Sequence, residues 1–135
     1  MSYGKFIKAL NTFIPKIKLA KTAGMKQVVE FIASRTGLNK GQIQMVLAEL
    51  ADTVIFFNKQ GQGVKLEGLG TYLPEIDTEG EISVSHRLDR YIKSALNVEG
   101  GFTGNIENKT NIGKSKEEFI AMWNEAHPDD PISLN

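Results

Sequence analysis

Apolar positions along the chain change period twice. Met25, Val28, Val29 and Ile32 fall at i, i+3, i+4 and i+7, one face of a helix. Gly37 then supplies the left-handed residue that ends it. Asn39 is placed to cap a second helix, with Gln42 three residues on as in a capping box, and Leu38 and Ile43 are spaced as a hydrophobic staple. Ile43, Val46, Leu47, Leu50, Val54 and Phe57 continue at helical spacing until Gly61 and Gly63. From Val64 the period becomes two. Val64 and Leu66 alternate with Lys65 and Glu67, and Gly68 and Gly70 bracket Leu69, where a strand needs a bulge or a close backbone approach. Pro74 puts that strand on an edge. Asp77-Thr78-Glu79-Gly80 reads as a turn, and Ile82 and Val84 alternate with Ser83 and Ser85 in a return strand. Leu88, Tyr91, Ile92 and Ala95 then space as a short helix.

The flanks carry weaker patterns. Residues 13–20 alternate between Ile17 and Leu19 and suit an edge strand with Pro15 at its start; no pattern is legible before them. Beyond Asn97 the chain is rich in Gly and Asn and reads as linker. Ser115 and Glu118 then form a capping box, and Phe119, Met122, Trp123 and Ala126 share one face of a last helix ended by Pro128. Trp123 is too large an apolar side chain to leave in water, so this helix needs a docking surface. The chain thus divides into an N-terminal extension (1–24), a central domain (25–97) and a linker with a C-terminal helix (98–135). The fold class is α+β: a helical hairpin plus a small antiparallel sheet, with the extra C-terminal helix.

The central pattern also carries a family likeness. Thr36-Gly37-Leu38-Asn39-Lys40 and Val64-Lys65-Leu66-Glu67-Gly68-Leu69-Gly70-Thr71-Tyr72, in register with one another, resemble the turn and the strand root of the HU/IHF family of bacterial histone-like, DNA-bending proteins. The resemblance covers residues 25–97. It implies an intertwined homodimer, in which the long second helix and the sheet of each chain bury against the other, because one copy of so small a core is too thin to stand alone. It also implies binding to double-stranded DNA and a place in the cytoplasmic nucleoid. The family's long basic arm, tipped by Arg-Asn-Pro, has no counterpart: nine residues separate Tyr72 from Ile82, and none of the turn residues is proline. The chain resembles a divergent, arm-shortened branch.

Charge changes the picture further. Net charge is zero, but residues 1–40 hold eight basic side chains against Glu30 alone, a net of +7 balanced by −7 in the rest. The hairpin segment itself is acidic: Glu67, Glu75, Asp77, Glu79 and Glu81 against Lys65. Arg87, Arg90 and Lys93 match the region where the family's saddle flank carries phosphate-holding cations. Lys16, Lys18 and Lys21 are second-rank DNA candidates, and Lys109, Lys114 and Lys116 third-rank. Against this, Arg87 and Arg90 suit surface ion pairs with Asp89 or Glu81, and edge lysines also block aggregation.

No chemistry competes with these readings. The chain has no cysteine, and His86 and His127 are isolated, too few for a zinc site. Neither Gly61-Gln62-Gly63 nor Gly68-Leu69-Gly70 leads into a helix N-terminus able to cradle phosphate. The expectation is therefore no enzyme, no metal, no cofactor, no small-molecule substrate and, with no apolar run near about 20 residues, no membrane partner. Two functions stay open: weak, largely sequence-independent duplex binding without the proline-tipped arm, or an HU-fold dimer serving as a scaffold or protein-interaction module.

Overall fold

The computed structural model describes residues 3–133, with the side chains of residues 3, 5 and 9 left aside. It divides into two compact units. One is Lys21–Thr103; the other joins the two ends of the chain, up to Ala20 and from Gly104 onward.

The first unit opens with the helical hairpin. Helix α2 (Met25–Thr36) ends at Gly37, whose φ of 74° is the left-handed value that lets its N–H reach the carbonyl of Ala33. Asn39 caps α3 (Lys40–Asn58): its Oδ1 accepts from the N–H groups of Gly41 at 2.8 Å and Gln42 at 3.3 Å, the Asn39 half of the capping box. Three strands follow, β2 (Val64–Leu66), β3 (Gly70–Ile76) and β4 (Ile82–Leu88), in the antiparallel order β2-β3-β4.

Strand β3 is central only at its start, because β2 pairs with Gly70 to Tyr72 and then ends. The Tyr72 carbonyl accepts from Asn58 Nδ2 at 3.3 Å, on the side away from β4. Pro74, two residues on, has its nitrogen on that same side, where no strand needs a donor. The edge character read from Pro74 therefore applies to the second half of β3. Helix α4 (Arg90–Asn97) starts two residues later than its spacing suggests. Leu88 is the last residue of β4, opposite Gly70, and Asp89 caps the helix by accepting from Tyr91 N–H at 2.8 Å.

This unit buries little. Of its large apolar side chains only Val29 and Ile43 fall in the buried class, whereas Phe31, Val46, Ile55 and Phe56 are each half or more exposed. The helical faces legible in the sequence are present but not covered within one chain.

The second unit is better closed. Helix α1 (Tyr3–Phe13) packs on α5 (Lys116–Ala126), and β1 (Lys16–Lys18) pairs antiparallel with β5 (Asn105–Glu107). Ile120, Trp123 and Ile132 form the core, with Phe6 and Phe13 against it. The Gly/Asn-rich stretch holds this together with side-chain amides. Asn108 Nδ2 donates to the carbonyls of Thr12 and Ile14 at 3.0 Å, and the buried Asn111 donates to Phe13 at 2.8 Å. These amides satisfy carbonyls left open at the end of α1 and just beyond it. The C-terminal helix thus docks on the N-terminal one. Its capping box at Ser115 and Glu118 is complete, Trp123 Nε1 donates to the Asp130 carbonyl at 3.0 Å, and the His127 ring stacks on Trp123 at 3.7 Å.

Candidate nucleic-acid interface

The corner at Gly68-Leu69-Gly70 positions the junction between β4 and α4. Gly68 has φ 80°, and Leu69 N–H returns to the Leu66 carbonyl at 3.0 Å, reversing the chain from β2 into β3. The Leu69 carbonyl accepts from Asp89 N–H at 2.9 Å, which fixes the end of β4 against the corner. Gly70 is buried and lies against the Arg87 carbonyl and the His86 ring; a Cβ there would meet both. The close approach expected of these glycines is thus made by the backbone that carries Arg87.

Arg87, Arg90 and Lys93 are all exposed. Arg90 and Lys93 are three residues apart on α4 and so share a face. A cation in the first turn of a helix is disfavoured by about 0.3–1 kcal/mol, and the Asp89 carboxylate at the N-cap offsets this. Of the two acids considered as ion-pair partners, only Asp89 lies next to the arginines in the chain. Asp89 is engaged by Tyr91 N–H. Glu81 precedes β4 by one residue, about 20 Å along an extended chain from Arg87.

The register adds a cation that the sequence reading passed over. Lys65 pairs with Thr71, and Thr71 pairs with Arg87. The three form one row across the sheet, so Lys65 and Arg87 lie on the same face, two strand spacings or about 10 Å apart. By charge count Lys65 is the lone base of an acidic segment. Its alternation with Val64 and Leu66 gave its face, but only the pairing shows that it stands in line with Arg87. The opposite face carries Tyr72 and His86, whose rings are 4.7 Å apart. His86 is exposed beside Tyr72 and is not a core residue.

The other candidates do not join this row. Lys16 and Lys18 stand on β1 in the other unit, exposed, with Lys16 directly opposite Glu107 and Lys18 opposite Asn105. An opposite charge across the ladder gives Lys16 a local partner to interact with. Lys21 begins the Lys21–Thr103 unit, exposed and outside any helix or strand.

The hairpin's acids are partly accounted for by its turn. Asp77 Oδ1 accepts from the N–H groups of Glu79 and Glu81, both at 2.9 Å, and Gly80 takes φ 88°. The strands close through Asp77 to Glu81, with Ile76 opposite Ile82 as the last pair.

Among the described residues no group of three or more His, Asp or Glu is placed to hold a metal ion, and no helix is long and apolar enough to cross a membrane. The chain is similar to two solved structures. One is a valine-to-isoleucine mutant of HU from Thermotoga maritima, at 13% identity over 56% of this chain and 100% of that one, with a TM-score of 0.48. The other is a cocrystal of Anabaena HU with DNA, at 14% identity over 56% of this chain and 98% of that one, with a TM-score of 0.47. No curated protein matches the chain. Residues 7–95 match the family model described as "HU domain fused to wHTH, Ig, or Glycine-rich motif".

Proposed function

Because the chain belongs to the family of HU domains fused to a wHTH, Ig or glycine-rich motif, we propose that it is a non-enzymatic, HU-like protein of the nucleoid that binds double-stranded DNA weakly and without sequence preference. The observation that carries this reading is the exposed cationic set Lys65, Arg87, Arg90 and Lys93, gathered on one sheet row and the helix that follows it. Such side chains hold phosphates, which supplies affinity and register but no base readout. Lys16, Lys18 and Lys21 contribute at second rank.

The unit acts as a homodimer. Two buried apolar side chains cannot stabilise more than eighty residues, and the exposed faces of α2 and α3 match what a second copy would cover. The family's proline wedge is absent, since the hairpin closes through a tight acidic turn. Bending by intercalation at an arm tip is therefore not part of this mechanism. The acidic tip favours a second reading: an HU-fold dimer that assembles proteins and no longer binds DNA.

Titration of a labelled 30-base-pair duplex at several salt concentrations separates the two. Phosphate binding predicts a steep loss of affinity as salt rises, with a log–log slope of about −0.9 for each phosphate neutralised. Absence of binding at low salt would leave the assembly reading.

A further inference from the structure

We propose that the β3–β4 hairpin, where the family places a DNA arm, is instead a clamp on a second copy of this chain; the inference rests on the dimer reading above. Alternation and register put Pro74, Ile76, Ile82 and Val84 on one face of the hairpin, in the cross-strand pairs Pro74–Val84 and Ile76–Ile82. Ile76 and Ile82 are 67% and 65% exposed, an unusual place for the last apolar pair of a solvated hairpin.

The face is one wall of a groove. Val54, Ile55, Asn58 and Lys59 of α3 line it together with Pro74, Ile82 and Val84. A second opening, of about 390 Å³, lies further back along α3 and includes Leu47, Leu50, Leu66 and Tyr72. The two share Val54 and Ile55, so the apolar lining runs unbroken from the middle of α3 to the hairpin tip. The back of this track is the stripe that a second copy covers in the dimer, and the hairpin groove is its continuation.

One further feature selects a second copy as the occupant. A neighbouring opening that shares Asn58, Lys59, Pro74 and Ile82 with the groove carries both signs of charge, Lys59 and Glu75. A two-fold interface sets one patch against itself, and a patch of mixed sign can then pair without like-charge contact. DNA does not fit this wall: it is apolar, and Glu75, Asp77, Glu79 and Glu81 around the tip repel phosphate.

The test is sedimentation equilibrium of the full chain with Ile76→Ser and Ile82→Ser together. Both side chains are mostly exposed in one chain, so the change removes little that the single chain buries by itself. The dimer dissociation constant is expected to rise at least about 100-fold, while Glu79→Gln at the tip leaves it unchanged. A double variant that dimerises as tightly as wild type overturns the clamp and leaves the dimer standing; a wild-type chain that is monomeric at every concentration overturns both. Hydrogen exchange on the wild type needs no variant. Amides of residues 75–84 should gain more protection than the rest of the Lys21–Thr103 unit as concentration drives the chain from monomer to dimer, and no excess protection there contradicts the clamp.

Discussion

Replacing Arg87 and Arg90 by alanine together is expected to weaken duplex binding by roughly 100-fold at low salt. The proposed dimer loses four cations. At about 0.7 kcal/mol for each phosphate contact the sum is near 2.8 kcal/mol, or two factors of ten. The salt slope should flatten by between about two and four units, because each lost contact removes about 0.9. The loss should be equal on unrelated duplex sequences, since phosphates carry no base identity. Both side chains are exposed, and neither is needed to hold the corner at Leu69, so thermal unfolding should hardly move. Fluorescence anisotropy on two duplexes checks affinity and slope together. Unchanged affinity would remove the arginines from the interface.

Gly70→Ala is expected to destabilise the Lys21–Thr103 unit by about 3 kcal/mol or more, and to abolish DNA binding with it. Gly70 has φ 153° and is buried in the sheet. An added methyl meets the Arg87 carbonyl and the His86 ring; the exposed ring can swing aside, but the carbonyl cannot retreat without unpairing β4 from β3. Backbone strain and overpacking each cost about 1–3 kcal/mol. Gly80→Ala is the internal comparison. Its φ of 88° also disfavours a side chain, but the space around it is open, so only the left-handed penalty of about 1–2 kcal/mol applies. Chemical denaturation of the two variants should therefore rank Gly70→Ala well below Gly80→Ala. Equal stability would mean that the close approach at the corner is not what organises the β4–α4 junction.

Much of the Lys21–Thr103 unit was legible because its signals are local. Helical spacing gave α2 and α3, Gly37 gave the stop between them, and Asn39 gave the cap. The paired glycines gave the corner. The boundary at Leu88 was missed because its spacing suits a helix, while its partner Gly70 lies elsewhere in the chain. The union of the two chain ends left almost no local trace. Ile17 and Ile106 pair across a ladder of three residues, and Asn108 reaches the Thr12 carbonyl 96 residues away. In a Gly/Asn-rich stretch, side-chain amides that satisfy distant carbonyls look the same as those of a solvated linker. Helix α1 was not anticipated for the same reason: its apolar face is defined by α5, which only the fold brings to it.

The candidate site divides along the same line. Arg87, Arg90 and Lys93 were legible from their closeness in sequence. Lys65 was not, because its place beside Arg87 depends on two strand registers in succession. The acidity of the hairpin, which weighs against DNA by charge count alone, has a structural component: the Asp77 carboxylate builds the turn. Net charge near zero hence coexists with a local row of cations.

Light scattering on a gel-filtered mixture of the protein with a 30-base-pair duplex at low salt measures dimerisation and DNA binding at once. One chain is 14.9 kDa, so the bound species should carry the mass of one duplex plus twice 14.9 kDa, or a multiple of that pair, and should separate into free duplex and free dimer as salt rises. Separate elution of duplex and protein at low salt would contradict the DNA-binding account, and a complex built on single chains would contradict the dimer.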